Sequence, residues 1–242
     1  MLKRYVMGWL VVAVGAGMAV PRVVADDDAS PWLLEASVAW KYRYVTEGID
    51  NVPDSTFLFS EVVAGWHGFG LGAEWVEALD DSYNEVQLFA EYGVDVGPLF
   101  LFAGVARLAF PSGADPDTWE VFLGMEHEVG DCVTLFAETY YDVDEVRGGF
   151  VETGLGVDIP VPSPDNRLAL HPYVLLGADY GFVSGPRRLR ENNVQGGVAA
   201  TWRVHEHARL FGHISHSRAL TNLDREGESD TSWGGLGVEL TF

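Results

Sequence analysis

Alternation of apolar and polar residues is the feature of this sequence that most limits how the chain can fold. From residue 34 onward the side chains repeat with a period of two, and the first such segment places Leu34, Val38 and Trp40 on one face. Glu35 and Lys41 lie on the other face. A period of two is that of a β-strand, whose successive side chains point to opposite faces of a sheet. Because no helical period is sustained, the sequence predicts an all-β fold.

Twelve segments of about ten residues carry this alternation. They span residues 34–44, 57–66, 69–77, 83–93, 98–110, 118–129, 132–141, 149–159, 168–181, 194–204, 207–217 and 232–242. Their connections alternate between tight turns, such as 67–68, and longer loops, such as 218–231. An even number of strands with short connections at one end and long ones at the other is typical of a transmembrane up-and-down antiparallel β-barrel. We therefore predict one barrel domain over residues 26–242.

Composition and charge exclude several other classes of protein. Hydrophobic residues make up 48% of the chain and charged residues 21%, which is too apolar for intrinsic disorder. There are 15 Lys and Arg against 36 Asp and Glu, a formal net charge of −21, so the chain lacks the basic surface that nucleic acid requires. The single cysteine, Cys132, excludes an intrachain disulfide and a cysteine-based zinc site. We expect no cofactor and no metal site.

The first 25 residues have the features of a secretory signal peptide. Lys3 and Arg4 form a positive start, residues 6–20 are apolar, and Val23 and Ala25 stand at the −3 and −1 positions of a cleavage site. The apolar segment is shorter than the roughly 20 residues of a membrane-spanning helix. We therefore expect cleavage after Ala25 and export, with an uncleaved membrane anchor as the alternative.

Alternation alone does not decide whether the apolar face meets lipid or the core of a soluble sandwich. Aromatic residues toward the ends of the segments favour lipid, because they would form girdles at the two membrane interfaces. These residues are Trp40, Tyr44, Trp66, Trp75, Tyr92, Trp119, Tyr141, Tyr180 and Trp202. The polar face is rich in Gly, which relieves crowding on a curved inner wall. We predict that the apolar face is outside and that the polar face lines a lumen.

The predicted lumen is acidic. Its expected lining residues are Lys41, Arg43, Glu61, Glu74, Glu85, Glu91, Arg107, Glu120, Glu126, Glu138, Glu152, Asp179, Arg203, Arg209 and His213. In the fifth segment the alternation assigns Phe100, Phe102 and Ala106 to the outer face and Arg107 to the lumen. An excess of acids gives the lumen a negative potential, which favours cations or neutral polar solutes. Pairing of Arg with Glu across the lumen, which would plug it, is the alternative.

The chain ends in an aromatic residue that follows alternating apolar residues. Leu236, Val238 and Leu240 precede Phe242 at every second position. This ending resembles the C-terminal signature of bacterial outer-membrane barrels, which is read by the barrel-assembly machinery. The resemblance implies a location in the bacterial outer membrane, with that machinery and the outer-membrane lipids as partners.

More loosely, the mature chain resembles the TorF family of porins. In that family the first strand tends to end in an aromatic residue followed by Arg-Gly. Residues 42–49 match this pattern in part, with Glu47 before Gly48 where Arg is expected. The resemblance implies a porin-like role without naming a solute. The strand number and the polar, Gly-rich inner face favour passive passage of small solutes, and we expect no enzymatic activity.

A lipid hydrolase is the main alternative to a channel. His213 and Ser215 lie two residues apart on the penultimate strand, so they share a face and the imidazole could activate the hydroxyl. The spacing resembles the His-x-Ser pair of outer-membrane phospholipases and lipid A deacylases. The candidates for a third member are Asn222, Asp224 and Glu239. Those enzymes need the pair outside, whereas Ile214 takes the outer face here. A plugged structural or adhesive barrel is the remaining alternative.

Overall fold

The structure is a computed structural model, and it describes residues 32–162, 167–183 and 187–242. The expected signal peptide, residues 1–25, lies outside the described residues. The elements are β1 (Trp32–Lys41), β2 (Val45–Thr46), β3 (Ile49–Asp50), β4 (Phe57–Trp66), β5 (Phe69–Ala78), β6 (Asn84–Val96), β7 (Leu99–Ala109), β8 (Thr118–Val129), β9 (Val133–Asp142), β10 (Gly149–Val157), β11 (Ile159–Val161), β12 (Leu168–Tyr180), β13 (Arg190–His205), β14 (Ala208–Ala219), α1 (Thr221–Glu226) and β15 (Thr231–Thr241).

The strands form one closed antiparallel ring. Starting from β1, each long strand pairs with the next along the chain, with β4 following β1. β15 returns to pair with β1, for example through Val38 and Val238. β10 and its short continuation β11 occupy one position, because both pair with β12. The ring therefore has twelve positions and closes on itself, which confirms the predicted barrel.

The two faces of the wall differ as the alternation predicts. Leu123 on the outside is 56% exposed, whereas Glu74 on the inside is 6% exposed. Tight turns join most of the strands at the end of the barrel that carries Trp32 and Phe242, which we call the turn end. The longer connections lie at the opposite end, the loop end. Among the described residues, no helix is long and apolar enough to cross a membrane.

β7 departs from the sequence prediction because its two faces are the reverse of those expected. Phe100, Phe102 and Ala106 are buried inside the barrel. They pack in a cluster that includes Phe89 of β6 and Phe122 of β8. The prediction of an outward Phe100, Phe102 and Ala106 is therefore wrong. Both faces of β7 are apolar, so alternation gave no reliable sign of which one meets the lumen.

The same reversal places Arg107 on the outer face. It is paired with Leu88 on one side and Trp119 on the other, and both of these are exposed. Its Nη2 donates to Asp117 Oδ2 at 2.9 Å, and its guanidinium carbon is 5.4 Å from the centre of the Trp119 ring. The prediction that Arg107 lines the lumen is wrong.

Glycines on the inner wall make room for the aromatic rings of neighbouring strands. The ring of Phe89 covers Gly72, and the ring of Phe102 covers Gly124; a Cβ on either glycine would overlap with the ring. These pairs let large side chains lie flat against the curved wall. One side of the lumen is therefore filled by phenylalanines.

Candidate functional site: the lumen and its inner hairpin

The segment between β1 and β4, residues 42–56, turns into the barrel at the loop end. Within it, β2 and β3 form a small hairpin whose two-residue turn is Glu47–Gly48, and we call the segment the inner hairpin. Glu47 and Gly48 both have positive φ, +51° and +80°, as a tight hairpin turn requires. Residues 44–48 are all buried. The lumen is thus occupied at this end by the chain itself.

The tip of the inner hairpin is tied to two separate parts of the wall. The hydroxyl of Tyr140 on β9 donates a hydrogen bond to Glu47 Oε1. The amide of Asn192 on β13 donates to the Glu47 carbonyl oxygen at 2.5 Å. Because β10 and β12 lie between β9 and β13 in the ring, the tip bridges well-separated strands. Gly48 packs so closely that a Cβ there would lie 2.9 Å from Asn193 Cβ.

The start of the inner hairpin contacts another sector of the wall. Tyr44 is 8% exposed, and its hydroxyl donates to Glu85 Oε2 on β6 at 3.0 Å. Its ring packs against Phe57 and Phe59 of β4, with centroids 5.7 and 5.3 Å away. The prediction that Tyr44 belongs to an outer aromatic girdle is wrong, because the chain leaves β1 after Lys41 and turns inward.

Contacts to β15 complete the attachment. Arg43 pairs with Asp50 across the hairpin at 3.4 Å and donates from Nη1 to Thr231 Oγ1 at 2.8 Å. Val45 packs against the buried ring of Trp233. The inner hairpin therefore contacts β6, β9, β13 and β15, which are distributed around the ring, and it closes the loop end of the lumen.

The connection that contains α1 packs beside the inner hairpin. Asn222 of α1 is fully buried, and its side-chain amide donates to Asp179 Oδ2 at 3.2 Å and to Asn192 Oδ1 at 3.0 Å. Asp179 also accepts from the backbone N–H groups of Phe182 and Val183, both at 2.8 Å. Asp179, expected to line an open lumen, instead anchors the connections at its loop end.

Burial changes the protonation of the hairpin tip. It raises the pKa of Glu47 to about 7 from its ordinary value of 4.5, and the negative charges of Glu85 and Asp179 act in the same direction. The hydrogen bonds from Thr46 and Tyr140 oppose this rise in pKa. The Glu47 carboxyl is therefore near its midpoint of ionisation at neutral pH.

The inner wall is acidic from the loop end to the turn end. The side chains that the strand pairing and burial place on the inner face are Lys41, Glu61, Glu74, Glu85, Glu91, Glu120, Glu126, Glu138, Glu152, Asp179, Arg209 and His213. Of the other two predicted cations, Arg43 lies in the inner hairpin. Arg203 is paired with Arg209 and therefore lies on the same inner face, where it is exposed near the turn end.

The inner-wall cations are few and are already engaged. Arg209 Nη2 lies 2.6 Å from Glu239 Oε1. Lys41 Nζ lies 3.6 Å from the centre of the Phe59 ring. Within the ranges that the structure covers, no basic side chain forms an ion pair with Glu91 or Glu138. Glu91 and Glu138 therefore face the lumen without a basic partner in the described part of the chain.

The His213–Ser215 pair lies inside the barrel. Both residues are buried, and Nδ1 of His213 is 3.5 Å from Ser215 Oγ, at the limit of a hydrogen bond. Ser215 Oγ is closer to the hydroxyl of Tyr173, at 2.8 Å. The pair faces away from lipid, as the outward position of Ile214 predicts. The described part of the chain holds no group of three or more His, Cys, Asp or Glu residues arranged to bind a metal ion.

The fold is shared with solved outer-membrane proteins. No family model and no curated protein matches this chain. The structure of the KdgM porin in complex with disordered oligogalacturonate is 10% identical, covers 87% of this chain and 99% of its own, and gives a TM-score of 0.57. The NanC porin is 11% identical, with coverages of 85% and 98% and a TM-score of 0.58. Such low identity shows the fold alone, which is that of a bacterial outer-membrane β-barrel.

Proposed function

We propose that this chain is an outer-membrane channel for passive passage of small cationic or neutral polar solutes. The observation that carries the proposal is the excess of carboxylates on the inner wall over the basic side chains of the same wall, Lys41, Arg203 and Arg209. A pore lined by one sign of charge concentrates the opposite sign and repels its own. Glu91 and Glu138, which lack a basic partner among the described residues, are the side chains we expect to set this preference.

In this proposal the inner hairpin is a gate. It fills the loop end, so solute passes only when the tip leaves its position between Tyr140 and Asn192. A hydrogen bond contributes about 0.5–1.5 kcal/mol net. A few such bonds therefore stabilise the closed state over the open state by only a few kcal/mol. A difference of that size leaves a minor open population that conductance can detect.

The solute of one structural relative does not suit this lumen. The KdgM porin is described in complex with oligogalacturonate, a chain of carboxylate-bearing sugars. An inner wall that carries Glu74, Glu91 and Glu138 would repel such a polyanion. We therefore propose cations or neutral polar solutes. Lipid hydrolysis by His213 and Ser215 is not proposed, because both side chains point away from the lipid.

Conductance of the refolded protein in planar bilayers tests the proposal. Under a KCl gradient, the reversal potential of the wild type is expected to show K⁺ passing more readily than Cl⁻. The double variant Glu91→Gln/Glu138→Gln should reduce this preference several-fold. Glu77→Gln is the matched control, because Glu77 is exposed on the outer face near the loop end of β5. Preference for Cl⁻, or no channel events even when the gate is weakened by Tyr140→Phe, would overturn the proposal.

A further inference from the structure

The outer wall carries a groove at the loop end of β13, β14 and β15. Its volume is about 760 Å³, within the range of roughly 300–1,000 Å³ found for small-molecule sites. The apolar outer-face side chains around it are Trp40, Tyr42, Val198, Ile214 and Leu236. Ile214 is 71% exposed, the largest fraction among the exposed apolar side chains of the described residues. These five side chains are exposed on the outer face of the wall.

Small residues on two successive rungs of the sheet create the groove. One rung runs through Gly196, His216 and Ser232, and the next through Val198, Ile214 and Gly234. On the outer wall most such positions carry large apolar side chains. Here the outer face carries only small residues, Gly196, Ser232 and Gly234, beside the large and exposed side chain of Ile214.

A polar pair on the outer face, His216 and Ser232, belongs to the lining of this groove. Nδ1 of His216 is 2.8 Å from Ser232 Oγ. When the hydroxyl donates to Nδ1, the ring carries its proton on Nε2, which has no hydrogen-bond partner in the described part of the chain. Polar side chains on the lipid face are costly at mid-membrane depth and tolerated near the interface.

The position of the pair along the barrel matches the interface. Ser232 lies ten residues before Phe242, and a strand tilted by about 45° rises roughly 2.3 Å per residue along the barrel axis. Ser232 is thus about 23 Å above the chain end, close to the top of an apolar band that is about 25 Å tall. Arg218, exposed on the outer face two residues beyond His216, continues the polar surface toward the loops.

We infer that this groove binds one acyl chain of lipid A, with a phosphate or ester of the same lipid at His216 and Arg218. Long loops of outer-membrane barrels are extracellular, so the groove lies in the outward leaflet, where lipid A is the anionic acylated lipid. Its chains match the apolar walls, and its phosphates complement Arg218 in a protein that otherwise carries a large negative charge. The inference depends on the outer-membrane location and not on channel activity.

Native mass spectrometry of the refolded barrel, with lipid A added in mild detergent, tests the inference. The wild type is expected to retain one lipid A molecule. Gly196→Leu should reduce retention at least tenfold, because the new side chain fills the groove. The substitution should not disturb the wall, since the nearest atom to a Cβ at this position is the Tyr173 carbonyl oxygen, 3.5 Å away. Ser232→Ala, which removes the partner of His216, should reduce retention several-fold.

Ala103→Leu is the matched control, because Ala103 is exposed on the outer face of β7, between Tyr92 and Leu123, on a different part of the wall. It should retain lipid A as the wild type does. Equal retention by the wild type and Gly196→Leu, with both folded by circular dichroism, would overturn the inference. Equal retention of phosphatidylglycerol, offered as a second probe, would overturn the assignment to lipid A.

Discussion

Tyr140 and Glu47, 93 residues apart in the chain, meet inside the barrel through a hydrogen bond from the phenol to the carboxyl group. Tyr140 belongs to the wall strand β9, and Glu47 is at the tip of the inner hairpin. The ring of Tyr140 is held in place by Phe150, stacked at 5.7 Å, and by the edge of Phe182 at 5.1 Å. A rigid wall residue thus fixes the position of the segment that closes the loop end.

Removal of this hydrogen bond should open the channel. Tyr140→Phe keeps the ring and its packing but loses the hydroxyl. A loss of about 1.4 kcal/mol, within the range for one buried hydrogen bond, corresponds to a tenfold increase in the open fraction. Single-channel recording in planar bilayers measures that fraction directly. Tyr141→Phe is the control, since its hydroxyl bonds the Arg147 carbonyl in an outer loop. An unchanged open fraction in Tyr140→Phe would show that the tip is held by other contacts.

The open fraction should rise with pH. The pKa of Glu47 is about 7 with the hairpin in place and near 4.5 when it is released. An acid with a raised pKa favours the state in which it is protonated, so closure is strongest below pH 4.5 and weakens as pH rises toward 7. The difference in pKa corresponds to a change in the open fraction on the order of 100-fold. Recordings at pH 5, 6, 7 and 8 check this trend.

The side chains that face Glu47 from the wall would reinforce this pH dependence, because they are acidic. They are Glu85, Glu120, Glu152 and Asp179. Glu47→Gln removes the titrating group at the tip while it keeps the shape, and most of the pH response should disappear in this variant. A closed fraction that increases with pH, or an unchanged response in Glu47→Gln, would contradict the assignment.

Glycines beneath the phenylalanines should be necessary for stability. In Gly124→Ala the new Cβ would overlap with the ring of Phe102, and relief of such crowding typically costs about 1–3 kcal/mol. Urea unfolding followed by tryptophan fluorescence should show a lower midpoint. Gly156→Ala on β10 is the control, because a Cβ there meets nothing within 4 Å. The second change Phe102→Leu should restore part of the stability of Gly124→Ala; equal midpoints for Gly124→Ala and Gly156→Ala would refute the packing argument.

The barrel could be predicted because alternation indicates the orientation of most of its strands. Leu123 and Glu74 lie on the faces that their neighbours in sequence assign to them. β7 shows where this fails, since Phe100 and Leu101 are equally apolar and only contacts with β6 and β8 decide which points inward. Arg107 was assigned to the lumen for the same reason, although a long charged side chain near a membrane interface can lie outside beside a tryptophan.

The inner hairpin could not be predicted from alternation, because it depends on contacts between distant parts of the chain. Tyr44 continues the apolar face of β1 in sequence, yet it leaves the wall to reach Glu85. In the sequence, Glu47–Gly48 is a local sign of a tight turn, but it does not indicate that the turn lies inside the barrel. Nothing near Asn192 or Tyr140 in sequence indicates that they bind the same tip.

Gly48 provides a test of the inner hairpin that does not depend on ionisation. Gly48 has a φ of +80°. A Cβ added to Gly48 would lie 2.9 Å from Asn193 Cβ and 2.9 Å from Ser217 Oγ. Gly48→Ala therefore combines a cost of about 1–2 kcal/mol for the left-handed backbone with a clash against the wall. We expect the open fraction to rise at least tenfold, and we expect the channel to keep its preference for cations. Gly113→Ala imposes a similar backbone cost at φ of +73° in a loop where a Cβ meets nothing within 4 Å, so its conductance should equal that of the wild type. If both variants behave as the wild type, the tip does not control passage; if both open the channel, the effect comes from loop strain in general and not from the contact of Gly48 with Asn193.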